Sequence, residues 1–212
     1  MSAALQQKRY IGFDTIEIDH EQEFKLRAYK RLQPLKSGDR VPSFFYQKDH
    51  CHWQQFVNGV IVHGPSLLNR LADKALVIAF YSAHWHTTGL QLLKQLSQLS
   101  AEIKARDTNL LIVAAEKDSN LEKLAWDNNL SLSFYFDQDN QIAGKFGVYS
   151  DLDPTWDHFS GIDVNVPLLS TYVISRNGKI VYDHINRDCS DTFPRKELVA
   201  AVNRTTVFVG DY

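Results

Sequence analysis

Residues 80–89 carry the side chains whose types and spacing could do chemistry, and their sequence is FYSAHWHTTG. His84 and His86 are separated by one residue, and hydroxyl side chains follow them at Thr87 and Thr88. Imidazole nitrogens are good ligands for zinc or copper, so the two histidines are candidate metal ligands. No cysteine occurs in this stretch, and it therefore cannot supply a thiolate.

A second group of potential metal ligands is the run His50, Cys51 and His52. Cys51 and Cys189, the only cysteines in the sequence, are also candidates for a reactive thiol elsewhere in the fold. Arg187 would stabilise a thiolate at Cys189, whereas the aspartate between them would oppose it. The two cysteines are far apart in sequence and indicate no disulfide framework.

A strand and a helix are predicted to position residues 80–89. Residues 75–81 form an unbroken apolar run, typical of a strand buried on both faces of a mostly parallel sheet. Thr87 or Thr88 is predicted to cap the helix that follows. Its buried face is predicted from apolar residues that recur at three and four positions: Leu92, Leu93, Leu96, Leu99 and Ile103.

The first turn of that helix offers free N–H groups and the positive end of the helix dipole. The N–H groups of Thr87, Thr88 and Gly89, with the threonine hydroxyls and Trp85 as a wall, predict a site for a small anion or carboxylate. In a simpler interpretation, residues 84–86 only fill the loop and have no specific role.

The frame of this loop resembles the peroxiredoxin-like branch of the redoxin superfamily, the alkyl hydroperoxide reductase and thiol-specific antioxidant group. That group's signature, F-Y-x-G-x-W-C-P-x-C with leucines three residues apart behind it, aligns without a gap from Phe80 to Gly89. The resemblance places His86 and Gly89 at the two cysteine positions. Both active-site cysteines are therefore replaced.

Other motifs follow in the family's order. GDRVPSF at residues 38–44 is similar to the family's G-D-x-A-P-x-F, and KFGV at residues 145–148 is similar to the F-G-V after its fourth strand. Residues 166–174 resemble the strand P-x-P-x-T-x-V-I, in which the second proline is a cis-proline facing the active site. Pro167 and Thr171 are kept, but Leu169 stands at the second proline.

The resemblance implies an α/β thioredoxin-like fold, with a central mixed sheet, helices on both faces, and an N-terminal hairpin and extension. The resembled family consists of thiol peroxidases and oxidoreductases. Because the catalytic cysteines are missing, we expect a degenerate site and a non-catalytic binding or regulatory module for a small anion or a protein partner. Two alternatives remain open: an atypical thiol oxidoreductase that uses Cys51 or Cys189, and a protein that binds zinc or copper through histidines. No other cofactor is expected.

The remaining predicted elements have the thioredoxin-like order of alternating strands and helices followed by a hairpin. Strands are predicted at residues 10–18, 110–115 and 132–136, and helices at residues 20–32, 65–71, 120–128, 141–146 and 194–202. One hairpin is predicted at residues 44–62, with a turn at Asn58-Gly59. A second hairpin is predicted at residues 171–182, with a two-residue turn at Asn177-Gly178.

An acidic, aromatic insertion is predicted at residues 150–166. Its aspartates lack the spacing of a calcium loop and are expected to be solvated: Asp151, Asp153, Asp157 and Asp163. Aromatic residues in and near it are expected in the core: Trp126, Tyr149, Trp156 and Phe159.

Composition indicates one domain in 212 residues, of which 44% are hydrophobic. We expect an N-terminal extension at residues 1–37, a redoxin domain at residues 38–204 and a tail at residues 205–212. The formal net charge of -2 argues against a nucleic-acid partner. The sequence shows neither an apolar signal core near its start nor a run of about 18 apolar residues, so a cytoplasmic location is expected. The extension is predicted to act as a cap or as the arm of a homodimer.

Overall fold

A seven-stranded mixed sheet organises the part of the chain that the computed structural model describes, namely residues 31–42, 54–57, 60–63, 74–116, 119–130, 132–137, 139–187 and 192–207. The strands in chain order are β1 (Gln54–Val57), β2 (Val60–His63), β3 (Ala75–Tyr81), β4 (Thr108–Ala114), β5 (Ser133–Phe136), β6 (Ser170–Ile174) and β7 (Ile180–Ile185). The α-helices are α1 (His86–Ala105), α2 (Ser119–Asp127), α3 (Gln141–Lys145) and α4 (Arg195–Val207), and 3-10 helices cover Ala83–Trp85 and Thr155–Asp157.

The strand order across the sheet is β2-β1-β5-β4-β3-β6-β7. Strands β3, β4 and β5 are parallel neighbours, whereas β6 is antiparallel to β3 and β7 is antiparallel to β6. The β1–β2 hairpin extends the other edge, antiparallel to β5. Parallel neighbours need crossovers, which α1 and α2 supply. This arrangement confirms the predicted thioredoxin-like α/β fold.

Helices cover both faces of the sheet, as predicted. Helix α1 packs against β4, and α4 packs against α1 and against β3, β6 and β7. On the opposite face, the ring of Phe146, directly after α3, lies 5.1 Å from the rings of both Phe80 and Tyr172. Because side chains alternate along a strand, the adjacent residues Ala79 and Thr171 face α1 and α4.

Strand β3 and helix α1 lie at the centre of the core. All 7 residues of β3 are buried, and so are the five predicted helix residues, from Leu92 to Ile103. Complete burial of one such side chain contributes about 1.5–3 kcal/mol to the free energy of unfolding. These two elements therefore fix the position of the loop between them.

The described end of the predicted extension, residues 31–37, packs along the domain. The N–H of Leu35 donates to the carbonyl of Phe146 at 2.9 Å. A Cβ at Gly147 would lie 2.1 Å from the carbonyl oxygen of Gln33, so only glycine permits this approach. Residues 31–37 thus pack against the core, where Leu32 and Leu35 are partly buried, and the predicted boundary at residue 37 stays a prediction.

The β6–β7 turn differs from the predicted two-residue turn. Ser175 donates its N–H to the carbonyl of Lys179 at 2.9 Å, which leaves three residues in the loop. A two-residue type I′ turn requires positive φ at both central residues. Of the pair Asn177-Gly178, only Gly178 has a positive φ, at 74°. The loop therefore has three residues and ends in a left-handed glycine, whose N–H donates to the carbonyl of Ser175 at 2.9 Å.

The insertion contradicts two predictions. Asp153 is 1% exposed rather than solvated, because its carboxylate accepts from the N–H of Leu32 at 2.6 Å and pairs with His158 Nε2 at 2.5 Å. Trp156 is 48% exposed rather than in the core. Phe159 is buried as predicted.

Several predictions fall on residues outside the described ranges. These are the strand at residues 10–18, the helix at residues 65–71, the Asn58-Gly59 turn and the side chain of Trp126. Strands β1 and β2 confirm antiparallel pairing over the described part of the first predicted hairpin. Helix α4 continues to Val207, beyond the predicted domain boundary at residue 204.

Asp137 anchors α3 behind the sheet. Its buried carboxylate accepts from the N–H groups of Ile142 and Ala143, each at 2.9 Å. Burial raises the pKa of Asp137 above the ordinary value of 3.8. The native state therefore holds this proton more tightly than the unfolded chain, and the associated stability, complete below pH 3.8, is lost as pH rises through the raised pKa.

We predict that Asp137→Asn removes this pH dependence, because the amide does not titrate. The free energy of unfolding of the wild type, minus that of the variant, should shrink as pH rises from below 3.8 toward neutrality. Urea unfolding at several pH values measures this difference. Asp139→Asn, at an exposed carboxylate nearby, is the control, and an equal trend in both variants would contradict the prediction.

Candidate functional site

Ser82 and Glu116 hold the start of the loop between β3 and α1. The Ser82 hydroxyl donates to Glu116 Oε1 at 2.6 Å and accepts from the N–H of His84 at 3.1 Å. Glu116 Oε2 accepts from the N–H of Ala83 at 3.2 Å. Ser82 thereby caps the 3-10 turn. The prediction that Thr87 or Thr88 caps the α-helix is wrong, because α1 begins at His86 with Trp85 at the N-cap position and both threonines lie inside the first turn.

Trp85 fastens the other end of the loop. Its indole Nε1 donates to the carbonyl of Pro167 at 2.8 Å. The centroids of its ring and of the Phe159 ring lie 4.8 Å apart, with the two rings nearly perpendicular. Trp85 is only 3% exposed. It is therefore a core side chain. The sequence instead predicted it as the wall of an open anion site.

The two histidines of the loop point toward solvent. His84 is partly exposed, with Nδ1 3.9 Å from Asp163 Oδ1, and His86 is exposed. Within the described ranges, no group of three or more His, Cys, Asp or Glu side chains could hold a metal ion. The other predicted ligands and thiols, His50, Cys51, His52 and Cys189, lie outside those ranges.

His86 has an unusual backbone conformation, with φ 46° and ψ -125°. Positive φ with strongly negative ψ is accessible chiefly to glycine, and holding another residue there costs of order 1–3 kcal/mol. The position aligned with the first family cysteine therefore carries local strain, which sequence reasoning did not detect.

Gly89, aligned with the second family cysteine, is tightly enclosed. A Cβ there would lie 3.0 Å from Trp85 Cβ, 3.0 Å from Tyr81 Cε2 and 3.3 Å from the Ser82 carbonyl oxygen. These contacts are shorter than ordinary van der Waals separations. A side chain at Gly89 would therefore require these neighbours to shift by a few tenths of an ångström, and the hydrogen bond of Trp85 resists such a shift.

A cavity of about 200 Å³ opens beside the first turns of α1. Thr88 and Leu169, both predicted site residues, line it together with Thr171. Leu169 is buried, and its carbonyl accepts from the N–H of Asn186 at 2.8 Å. The structure thus brings together Thr88, Leu169 and the kept Thr171, while His84, Trp85 and His86 lie apart from the cavity.

Comparison with known proteins agrees with the fold and the motifs. The model of the AhpC/TSA family matches residues 38–183. No curated protein matches the chain significantly in sequence. None of the described helices combines the length and apolar character needed to cross a membrane.

Several solved structures share the fold. Peroxidoxin BcpB from Mycobacterium tuberculosis has 16% identity and a TM-score of 0.56, covering 80% of this chain and 97% of its own. The reduced 2-Cys peroxiredoxin of Plasmodium vivax has 17% identity and a TM-score of 0.57, with coverages of 84% and 86%. A peroxiredoxin-like protein from Aquifex aeolicus has 16% identity and a TM-score of 0.55, with coverages of 82% and 89%.

We predict that Gly89→Ala lowers the free energy of unfolding by about 1–2 kcal/mol, because the added methyl group overpacks the contact with Trp85 and Tyr81. Gly144→Ala is the matched control, since a Cβ at Gly144 in α3 meets nothing within 4 Å. That substitution should raise stability by up to about 1 kcal/mol through helix propensity. Urea denaturation measures both, and equal stabilisation by the two substitutions would contradict the prediction.

We also predict that His86→Gly raises the free energy of unfolding by about 1–2 kcal/mol, because glycine adopts this φ and ψ without strain. Lys94→Gly, at an exposed position inside α1, should instead lower it by about 1 kcal/mol. Thermal and urea unfolding report both values. If His86→Gly destabilises as much as Lys94→Gly, the backbone at residue 86 is not strained.

Proposed function

This chain belongs to the AhpC/TSA family, and we propose that it is a binding or regulatory module whose thiol peroxidase site is degenerate. The observation that carries the proposal is the replacement of the first family cysteine by His86, in a loop without any thiol. The residue at the second cysteine position supports it, because Gly89 also lacks a thiol.

The missing thiolate matters because of the chemistry it performs. A peroxidatic thiolate attacks one peroxide oxygen, forms a sulfur–oxygen bond as the oxygen–oxygen bond breaks, and becomes a sulfenic acid. An imidazole has no equivalent two-electron oxidation that a second thiol could reverse. His86 therefore does not substitute for the cysteine.

What remains at the site suits binding. The loop is held by the Ser82–Glu116 hydrogen bond at 2.6 Å and by the Trp85–Pro167 hydrogen bond at 2.8 Å. A rigid site loses little conformational entropy when a ligand binds. The proposal includes a small-molecule or protein ligand, a cytoplasmic location and assembly as a homodimer, all of which stay expectations from the sequence.

We predict that hydroperoxide turnover, with thioredoxin or glutathione as reductant, equals the rate in buffer alone. Cys51→Ser and Cys189→Ser should leave that rate unchanged. Consumption of reductant measured with hydrogen peroxide and with an organic hydroperoxide tests this. Turnover abolished by either serine variant would overturn the proposal and identify a relocated thiol, and turnover abolished by a chelator would favour the metal alternative.

A further inference from the structure

We infer that the cavity between α1, β6 and β7 binds a small, neutral molecule that has an amide or hydroxyl group and one apolar face. This inference rests on the proposed function, because it gives the ligand class of the binding module. Four features carry it: a buried hydroxyl without a partner, the chemistry of the lining, the size of the cavity and its position beside residues 86–89.

The hydroxyl of Thr171 is the first feature. Thr171 is 0% exposed, and its Oγ1 has no hydrogen-bond partner among the described residues. Strand pairing with Ala79 on one side and His184 on the other fixes it in the wall of the cavity. Buried hydroxyls are almost always paired, and an unpaired one destabilises the fold. Since the hydroxyl oxygen is itself buried in the wall, a polar ligand group in the cavity would supply the missing partner once the side chains next to it move slightly aside.

The lining is polar and contains no carboxylate. Among the described residues, no Asp, Glu, Lys or Arg side chain lines the cavity, and the imidazole of His184 is its one titratable group, so a cationic ligand group would lose hydration without meeting a countercharge. Amide side chains that can exchange hydrogen bonds come from Gln91, Gln95 and Asn186. Apolar side chains form the other part of the wall, at Leu92, Leu169 and Phe193.

The volume limits the ligand. A water molecule in the liquid occupies about 30 Å³, so a cavity of about 200 Å³ holds a molecule of roughly seven non-hydrogen atoms. Thr88 lines the cavity and is the third residue of α1, two positions after His86. The site therefore adjoins the degenerate loop without including its histidines.

δ-Valerolactam is a suitable probe, because it is neutral and carries one amide on an apolar ring. Its ring-opened form, 5-aminopentanoate, has the same carbon and nitrogen skeleton with two charges and is the matched control. We expect saturable amide chemical-shift changes at Thr88, Thr171 and Asn186, with a Kd of about a millimolar for so small a ligand. The zwitterion should bind at least about tenfold more weakly, because no carboxylate in the described lining neutralises its ammonium group.

Thr171→Val removes the hydroxyl and keeps the shape. It should weaken lactam binding at least about tenfold and raise the thermal midpoint of the free protein, because the buried unpaired hydroxyl is gone. Thr108→Val is the matched control: Thr108 is also a buried threonine, but its Oγ1 donates to the Arg106 carbonyl at 3.2 Å. That variant should leave lactam binding unchanged and lower the midpoint.

Gln91→Trp gives a second test that does not disturb the core, because Gln91 is exposed at the rim of the cavity. The indole should block the cavity and abolish lactam binding. Lack of lactam binding to the wild type, unchanged binding in Thr171→Val or Gln91→Trp, or tighter binding of the zwitterion would overturn the inference. A lowered midpoint in Thr171→Val would do the same, since it would show that the hydroxyl is already paired. None of these results bears on peroxide turnover, which tests the proposed function separately.

Discussion

The carboxylate of Glu116 fixes the turn between β3 and α1, and the rest of the candidate site depends on that turn. Strands β3 and β4 are parallel neighbours, with Tyr81 opposite Ala114, so the residues that follow both strands meet at one edge of the sheet. Glu116 can therefore accept from Ser82 and Ala83 together. Hydrogen bonds to a charged group are worth about 1.5–3 kcal/mol each. This energy is enough to impose a 3-10 turn before α1, where the sequence predicted only a helix capped by Thr87 or Thr88.

The sequence predicts the core elements well because their signals are local. An unbroken apolar run and leucines at helical spacing are sufficient to predict β3 and α1. The start of α1 could not be predicted from neighbouring residues, since Glu116 lies 34 positions after Ser82. The parallel pairing of two predicted buried strands was the signal that could have found it. The Asn177-Gly178 turn failed for another reason: the same dipeptide fits two loop lengths, and only the backbone angles distinguish them.

Burial of individual side chains was harder to predict, because it depends on partners distant in sequence. Asp153 is buried by contact with Leu32, 121 positions away, and Trp85 by its bond to Pro167, 82 positions away. Trp156 is an aromatic residue of a type usually found in the core, yet it lies on the surface. Family motifs placed Thr171 and Leu169 near the site, but only the folded chain shows that the Thr171 hydroxyl has no partner among the described residues.

The close packing around Gly89 also determines how the start of α1 would respond to a side chain there. Tyr81 and Trp85, its two aromatic neighbours, correspond to the tyrosine and tryptophan of the family signature, which carries a cysteine at the position of Gly89. Glycine at this position lets both side chains lie closer to the backbone of α1 than a Cβ would allow without a shift of a few tenths of an ångström. The space that a side chain would occupy is thus filled by its neighbours rather than left open, as is usual in a well-packed interior.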